Sequence, residues 1–228
     1  MHWGLPDNFI RYGNYLLSVY MEINQIFTNN QKWIKTKLKN DPDFFSNLVL
    51  GQTPKVLYIG CSDSRVTAEE LMGAKPGEVF VYRNIANMVN NTDLSAMSVI
   101  NYAVNHLKVK HIVVCGHYYC EGVKAALLSA DQGLLSPWLR SIRDVCRLHK
   151  AELDFIADED QRYKRLIELN VQEQCVNVIK NADVQKGISL KNLQVHGWVF
   201  DLQSGELIDM KINSDQILNE LLELYRLV

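Results

Sequence analysis

The sequence of 228 residues predicts an α/β fold built around a mainly parallel, four-stranded sheet. Three short apolar runs are typical of strands that are buried on both faces, and they cover residues 55–61, 78–82 and 111–115. Helical patterns lie between these runs, at residues 66–73 and 92–107. This alternation predicts β-α-β units, in which helices flank parallel strands.

The amino-terminal part of the sequence precedes this alternation. We expect residues 1–20 to be an N-terminal extension and residues 21–228 to form a single domain. Apolar residues at helical spacing predict an amphipathic helix over residues 21–40. A second short helix after Asp41-Pro42 completes a predicted helical arm over residues 21–50.

The carboxyl-terminal half predicts further helices and the remaining strands. Helical patterns cover residues 121–131, 134–150 and 159–181. An apolar run at 194–201 predicts the fourth strand, and the turn at Gln203-Ser204-Gly205 leads into residues 206–212 as an antiparallel edge strand. Ser214 is expected to cap a C-terminal helix that ends at Leu227.

Composition excludes several classes of function. The formal net charge is -2 and no basic patch is visible, so the sequence predicts no nucleic-acid partner. No apolar run approaches the roughly 18 residues that span a bilayer, so we expect no membrane partner. The five cysteines are an odd number, which favours free thiols or metal ligands over a disulfide framework. We therefore expect a reducing compartment, the cytoplasm.

Two polar segments follow strands of the predicted sheet. Cys61-Ser62-Asp63-Ser64-Arg65 comes after the first strand and His117-Tyr118-Tyr119-Cys120 after the third. Ligands of such sheets bind outside the carboxyl ends of the strands, so both segments lie at the expected edge. Two thiolates and one imidazole leave a tetrahedral zinc ion one ligand short, as in catalytic zinc sites. The alternative is that both cysteines are small buried hydrophobic residues and the histidine is hydrogen-bonded in a loop.

The sequence resembles the β-class carbonic anhydrases from about Gln25 to the C-terminus. Besides the two segments above, the resemblance includes Gly51-Gln52, Pro76-Gly77-Glu78, Arg83-Asn84-Ile85-Ala86-Asn87, Trp138-Leu139-Arg140-Ser141-Ile142-Arg143-Asp144, Asn170-Val171 and His196-Gly197-Trp198. The resemblance implies an enzyme with one zinc ion per subunit that interconverts carbon dioxide and bicarbonate. It also implies a homodimer, often assembled into a homotetramer, in which residues 21–50 are the dimerisation arm.

The resemblance also implies roles for individual residues. The implied zinc ligands are Cys61, His117 and Cys120, the implied catalytic dyad is Asp63 and Arg65, and the implied substrate-pocket residues are Gln52, Phe80 and Tyr102, some of them supplied by the partner subunit. Zinc makes hydroxide available near neutral pH, and this hydroxide attacks carbon dioxide. Asp63 is expected to orient the hydroxide while Arg65 keeps Asp63 ionised. Alternatively, Asp63 occupies the fourth zinc position, because the family has both forms.

The sequence departs from the family pattern at two places. Where the family usually has Cys-Gly-Gly, this chain has Cys120-Glu121-Gly122. Glu121 is expected either to cap a helix or to assist proton release near zinc. Some bacterial members bind inhibitory bicarbonate through Trp, Arg and Tyr, and the matching residues here are Tyr58, Arg83 and Phe200. Because Phe200 donates no hydrogen bond, we expect weak or absent inhibition at that site.

Two alternative functions remain open from the sequence. The first is hydrolysis of a carbon dioxide analogue, such as carbon disulfide or carbonyl sulfide, on the same fold. The second is a zinc-stabilised interaction module without catalysis. Asp63 and Arg65 argue against the second, because a structural zinc site closes its fourth position with another Cys or His.

Overall fold

The computed structural model describes residues 23–128 and 130–225, so the predicted extension at residues 1–20 lies outside the described residues. The chain divides into two compact units, Met1–Leu50 and Gly51–Val228. The described part of the first unit contains helices α1 (Ile23–Asn40) and α2 (Phe44–Val49), as the sequence predicts.

Aromatic rings join the two helices of the first unit. The ring of Trp33 makes edge contacts with Phe44 and Phe45, with centroids 6.1 and 5.4 Å apart. Nevertheless, none of the side chains of Ile23–Asn40 or Phe44–Val49 is buried. Phe27 is 77% exposed and Val49 is 86% exposed, so this unit presents apolar side chains with little cover.

A five-stranded sheet organises the second unit, in the order β2-β1-β3-β4-β5. The strands are β1 (Val56–Cys61), β2 (Val79–Asn84), β3 (His111–His117), β4 (Gln194–Phe200) and β5 (Leu207–Asp209). The first four are parallel, and β5 pairs with β4 in the antiparallel direction. The predicted fold class is therefore confirmed, including its antiparallel edge strand.

The described residues of the second unit also form eight α-helices, which flank the sheet. They are α3 (Ala68–Met72), α4 (Leu94–Asn101), α5 (Glu121–Leu127), α6 (Ser136–Leu148), α7 (Lys150–Phe155), α8 (Glu159–Ile179), α9 (Ala182–Ser189) and α10 (Ser214–Leu224). A π-helical stretch at Tyr102–Leu107 continues α4. None of the helices in the described ranges is long and apolar enough to cross a membrane.

Helix α8 packs directly on the sheet. Its residues Ile167, Val171 and Cys175 are almost completely buried, as expected from their spacing of four. The approach is so close that a Cβ at Gly116 on β3 would lie 2.6 Å from Cγ2 of Val171. Glycine is therefore needed at this position of β3, immediately before His117.

Several local predictions differ from the structure. Helix α5 ends at Leu127 and not at 131, β5 covers only Leu207–Asp209, and α10 ends at Leu224 because Tyr225 is extended. The sequence does not predict α7 and α9, whose lengths of 6 and 8 residues give little periodic signal. The cap of α10 is Asn213, whose side chain accepts from the Gln216 amide, and not Ser214. Ser214 instead accepts from the Val195 amide and donates to the Val195 carbonyl, which ties the start of α10 to β4.

Candidate active site

The register of the central strands brings the two polar segments together. Strands β1 and β3 are adjacent and parallel, and Gly60 pairs with Cys115. Cys61 therefore ends β1 beside the point where His117 ends β3, at the carboxyl edge of the sheet. Cys120 follows three residues later, directly before α5.

The side chains of Cys61, His117 and Cys120 form a buried cluster. Their ligand atoms, two sulfurs and one imidazole nitrogen, all lie within 4.8 Å of one another. The two sulfurs are 3.8 Å apart. With Zn–S bonds of about 2.3 Å, two thiolates on one tetrahedral zinc ion would also be separated by about 3.8 Å. The spacing of the sulfurs therefore fits zinc.

The tautomer of the His117 ring, set by its hydrogen bond, also suits a metal ligand. Nδ1 lies 2.9 Å from the Tyr118 carbonyl oxygen. Because a carbonyl only accepts, Nδ1 carries the proton and the lone pair is on Nε2. That Nε2 atom is buried and has no hydrogen-bond partner within the described structure. A buried acceptor without a partner is costly, and a metal ion between Nε2 and the two sulfurs would remove this cost.

The two thiols influence each other's protonation. The contact between the sulfurs lowers the pKa of Cys61, and the nearby His117 lowers it further. The same contact raises the pKa of Cys120. The cluster alone thus favours one negative charge, whereas a bound zinc ion favours two thiolates.

Asp63 and Arg65 form a bidentate ion pair beside the cluster. Nε of Arg65 donates to Oδ1 of Asp63 at 2.9 Å, and Nη2 donates to Oδ2 at 2.6 Å. The guanidinium lowers the pKa of Asp63 from 3.8 to about 2, so this carboxyl group is ionised at neutral pH. Oδ2 also lies 3.7 Å from Nε2 of His117, which is too long for a hydrogen bond.

Arg83 holds the segment that carries Asp63. Its guanidinium donates to the main-chain carbonyls of Cys61, at 2.7 Å, and of Asp63. Tyr163 on α8 performs a similar function for the second segment, because its hydroxyl donates to the Cys120 carbonyl at 2.7 Å. Neither contact has a signal in the sequence, because each joins residues that are distant along the chain.

A cleft of about 580 Å³ opens beside the cluster. Its lining includes Cys61, Ser62 and Asp63 from the first segment, and its apolar walls are Ile85, Ala125, Leu128 and Leu135. Glu121 lies at this cleft in the first turn of α5. Its backbone is not in the left-handed region, so this position does not require glycine.

The predicted pocket residues lie elsewhere within the chain. The rings of Phe80 and Tyr102 are 5.8 Å apart, but Phe80 pairs with Leu57, near the start of β1. Leu57 precedes Cys61 by four residues, which corresponds to roughly 13 Å along a strand. Gln52 is exposed and also precedes β1. These three residues therefore do not lie beside the Cys–His–Cys cluster of the same chain.

Fold and site together define an α/β protein with a buried Cys–His–Cys cluster, able to hold a metal ion, at the carboxyl edge of a parallel sheet. The family model for carbonic anhydrase matches residues 56–207. The carbonic anhydrase of Emericella nidulans is 57% identical over 205 residues, which are 90% of this chain and 90% of that protein. The chain belongs to the β-class carbonic anhydrases, and it is an enzyme of that class.

Solved structures agree with this assignment. The β-carbonic anhydrase CafA of Aspergillus fumigatus has a TM-score of 0.84 and 37% identity, over 90% of this chain and 99% of that one. A tetrameric β-carbonic anhydrase from Sordaria macrospora has a TM-score of 0.80 and 40% identity, over 83% of this chain and 96% of that one.

Proposed function

We propose that this carbonic anhydrase hydrates carbon dioxide reversibly to bicarbonate and a proton, with one zinc ion held by Cys61, His117 and Cys120. The observation that carries this proposal is the unpartnered Nε2 of His117, which faces two sulfurs separated by 3.8 Å. When bound, zinc lowers the pKa of a coordinated water molecule and so supplies a nucleophile near neutral pH.

Asp63 and Arg65 are proposed to act as the catalytic dyad. Asp63 is ionised, so its carboxylate only accepts hydrogen bonds. A carboxylate 3.7 Å from Nε2 of His117 is close enough to accept a hydrogen bond from a group that would be bound at the metal, and so to fix the orientation of that group. Arg65 holds both carboxylate oxygens, and it thereby keeps Asp63 charged and correctly turned.

The cleft supports carbon dioxide as the substrate. Carbon dioxide is small and has no net dipole, and the walls formed by Ile85, Ala125, Leu128 and Leu135 are apolar. These walls offer an apolar surface beside the cluster, and Asp63 adds a polar group to the lining. The arrangement therefore suits an uncharged, linear molecule.

A second subunit is proposed to complete the pocket. Gln52, Phe80 and Tyr102 match pocket residues of the family, but they lie away from the cluster of their own chain. These three residues can line a pocket at the Cys–His–Cys cluster only if they come from a partner copy of the chain. The uncovered apolar side chains of the arm at residues 21–50 support a homodimer, and the tetrameric relative from Sordaria macrospora makes a homotetramer the next possibility to test.

The proposed compartment is the cytoplasm. All five cysteines have free thiols, and the proposed zinc ligands include two of them. A reducing environment keeps such thiols available for the metal.

Zinc content and stopped-flow hydration of carbon dioxide test the proposed function. The wild-type protein is expected to contain one zinc ion per chain and to hydrate carbon dioxide. Asp63→Ala is expected to retain the zinc and to lose at least about 100-fold in kcat/KM, the range expected for an essential hydrogen-bonding group. Asp144→Ala is the matched control, because Asp144 makes only an exposed ion pair with Arg147.

Three results would contradict the proposal. The first is wild-type protein without zinc, and the second is loss of zinc from Asp63→Ala. The third is hydrolysis of carbon disulfide or carbonyl sulfide by a protein that does not hydrate carbon dioxide.

A further inference from the structure

The turn between the proposed ligands His117 and Cys120 is linked to helix α8 by the side chain of Tyr118. Tyr118 provides the carbonyl that accepts the Nδ1 proton of His117. The side chain of the same residue is buried, with 8% exposure, and its hydroxyl donates to Oε1 of Glu168 at 2.6 Å. Tyr118 therefore contacts the proposed zinc ligand with its main chain and α8 with its side chain.

Glu168 is itself held by a charged network. Its Oε2 accepts from Nη1 of Arg165 at 2.8 Å. Nε of Arg165 also donates to Oε1 of Glu152 on α7 at 2.6 Å. Hydrogen bonds thus join the ring of His117 to the Tyr118 main chain, and they join the Tyr118 side chain, through Glu168 and Arg165, to a carboxylate on α7.

The direction of the central hydrogen bond is well defined. A carboxylate oxygen can only accept, so the Tyr118 hydroxyl donates and Glu168 accepts. Hydrogen bonds to a charged acceptor are stronger than neutral ones, so this contact is suited to fixing the turn.

We propose that Tyr118 and Glu168 are positioning residues that hold His117 in the orientation that binds zinc, and that their hydrogen bond slows release of the metal. The inference rests on the proposed function, because it requires His117 to be a zinc ligand. The inference assigns a role to two residues that would contact neither the metal nor the substrate. Without the phenol–carboxylate bond, the Tyr118 carbonyl is less constrained, and so is the imidazole that donates to it.

Transfer of zinc from the holoenzyme to a chromogenic chelator measures this role. Loss of outer contacts to a metal ligand commonly costs 10–100-fold in metal affinity or activity. Because this contact acts through the Tyr118 main chain, we expect Tyr118→Phe and Glu168→Ala each to release zinc about 3–10-fold faster than the wild type. Tyr118→Phe leaves Glu168 paired with Arg165, so it creates no unpaired buried charge.

A double variant and a conservative variant separate positioning from general destabilisation. If the two side chains act through one bond, Tyr118→Phe combined with Glu168→Ala releases zinc no faster than either single variant. Glu168→Gln keeps an acceptor for Tyr118 and is expected to recover most of the wild-type rate. The visible absorption of the cobalt-substituted protein provides a second measure, and its bands are expected to shift in Tyr118→Phe.

Tyr82→Phe is the matched control. Its hydroxyl also donates to a carboxylate, Oδ2 of Asp93, at 3.1 Å, in a contact that does not involve the ligand turn. An unchanged release rate in Tyr118→Phe would overturn the inference, as would additive effects in the double variant or equal acceleration in Tyr82→Phe. A wild-type protein that contains no zinc would overturn both the proposed function and this inference. A zinc-loaded wild type whose variants release zinc at the same rate would overturn only this inference.

Discussion

Oδ2 of Asp63 lies 3.7 Å from Nε2 of His117, and the same oxygen accepts a hydrogen bond from Nη2 of Arg65 at 2.6 Å. Two ligand atoms on one tetrahedral zinc ion are separated by about 3.4 Å when their bonds are about 2.05 Å long. In the proposed zinc site, a small rotation of Asp63 would bring its carboxylate within reach of the metal. The two hydrogen bonds from Arg65 oppose such a rotation.

Removal of this restraint gives the first prediction. Arg65→Ala is expected to retain zinc and to lose at least about 100-fold in kcat/KM, because Asp63 becomes free to take the fourth ligand position. A crystal structure of the zinc-loaded variant is expected to show Asp63 on the metal. Arg147→Ala, which removes an exposed ion pair on α6, is the control. Full activity of Arg65→Ala would contradict the proposed role of the dyad.

The second prediction concerns the pH dependence of the reaction. The pKa of Asp63 is lowered to about 2, so this group is already ionised above pH 4 and does not titrate between pH 6 and 9. Two thiolates neutralise the charge of zinc more than three histidines do. The midpoint of kcat/KM against pH is therefore expected above the value of about 7 at which water ionises in the three-histidine carbonic anhydrase. A midpoint well below 7 would contradict this expectation.

The Asp63–Arg65 pair also gives a third prediction, for stability in acid. Because the folded-state pKa of Asp63 is lowered, the pair contributes stability above about pH 4, and this contribution is lost as the pH falls towards 2. Asp63→Asn is expected to unfold more easily than the wild type at pH 7, with most of the difference lost near pH 2. Urea unfolding at the two pH values measures this. A difference as large at pH 2 as at pH 7 would show that the charge of Asp63 is not its cause.

The fourth prediction concerns inhibition by bicarbonate. The buried Tyr58 hydroxyl has no hydrogen-bond partner within the described structure and could donate one hydrogen bond to the anion, but Phe200 could donate none. Arg83 is already used by the carbonyls of Cys61 and Asp63. We therefore expect bicarbonate to bind poorly beside Arg83, because its desolvation is not compensated. Activity measured against rising bicarbonate should show only product inhibition, and a crystal soaked in bicarbonate with the anion at Arg83 would refute this.

Glu121 gives the fifth prediction. Its carboxylate lies in the first turn of α5, where the helix dipole favours a negative charge. Glu121→Gln is expected to lower the free energy of unfolding by about 0.3–1 kcal/mol and to leave kcat unchanged. Urea unfolding and stopped-flow assays in weak and strong buffer measure both quantities. A fall in kcat confined to weak buffer would instead assign proton transfer to Glu121.

The strands and the metal cluster could be predicted from the sequence because each has a local signal. Buried parallel strands appear as continuous apolar runs, and Cys61, His117 and Cys120 are chemically distinctive residues directly after two such runs. The position of the cluster then follows from the geometry of parallel sheets. These predictions need no knowledge of long-range contacts.

The hydrogen bonds that hold the two ligand-bearing segments could not be predicted in this way. No local pattern shows that Arg83, Tyr163 and Glu168 hold the two segments, because their roles depend on main-chain carbonyls or hydroxyls that approach only after folding. Likewise, Ser214 and Asn213 are both good helix caps by residue type. Only the proximity of β4 decides that Ser214 bonds to Val195 and leaves the cap to Asn213.

The parallel pairing of β1 with β3 has a consequence for the order of assembly. Cys61 is synthesised well before His117 and Cys120, and the three side chains meet only when Gly60 and Cys115 are in register. A slip of one residue would turn Cys61 to the opposite face of the sheet and disperse the cluster. If the cluster holds zinc as proposed, full coordination of the metal has to follow correct pairing of the two central strands. Metal uptake during refolding would consequently report the moment at which the middle of the sheet is completed.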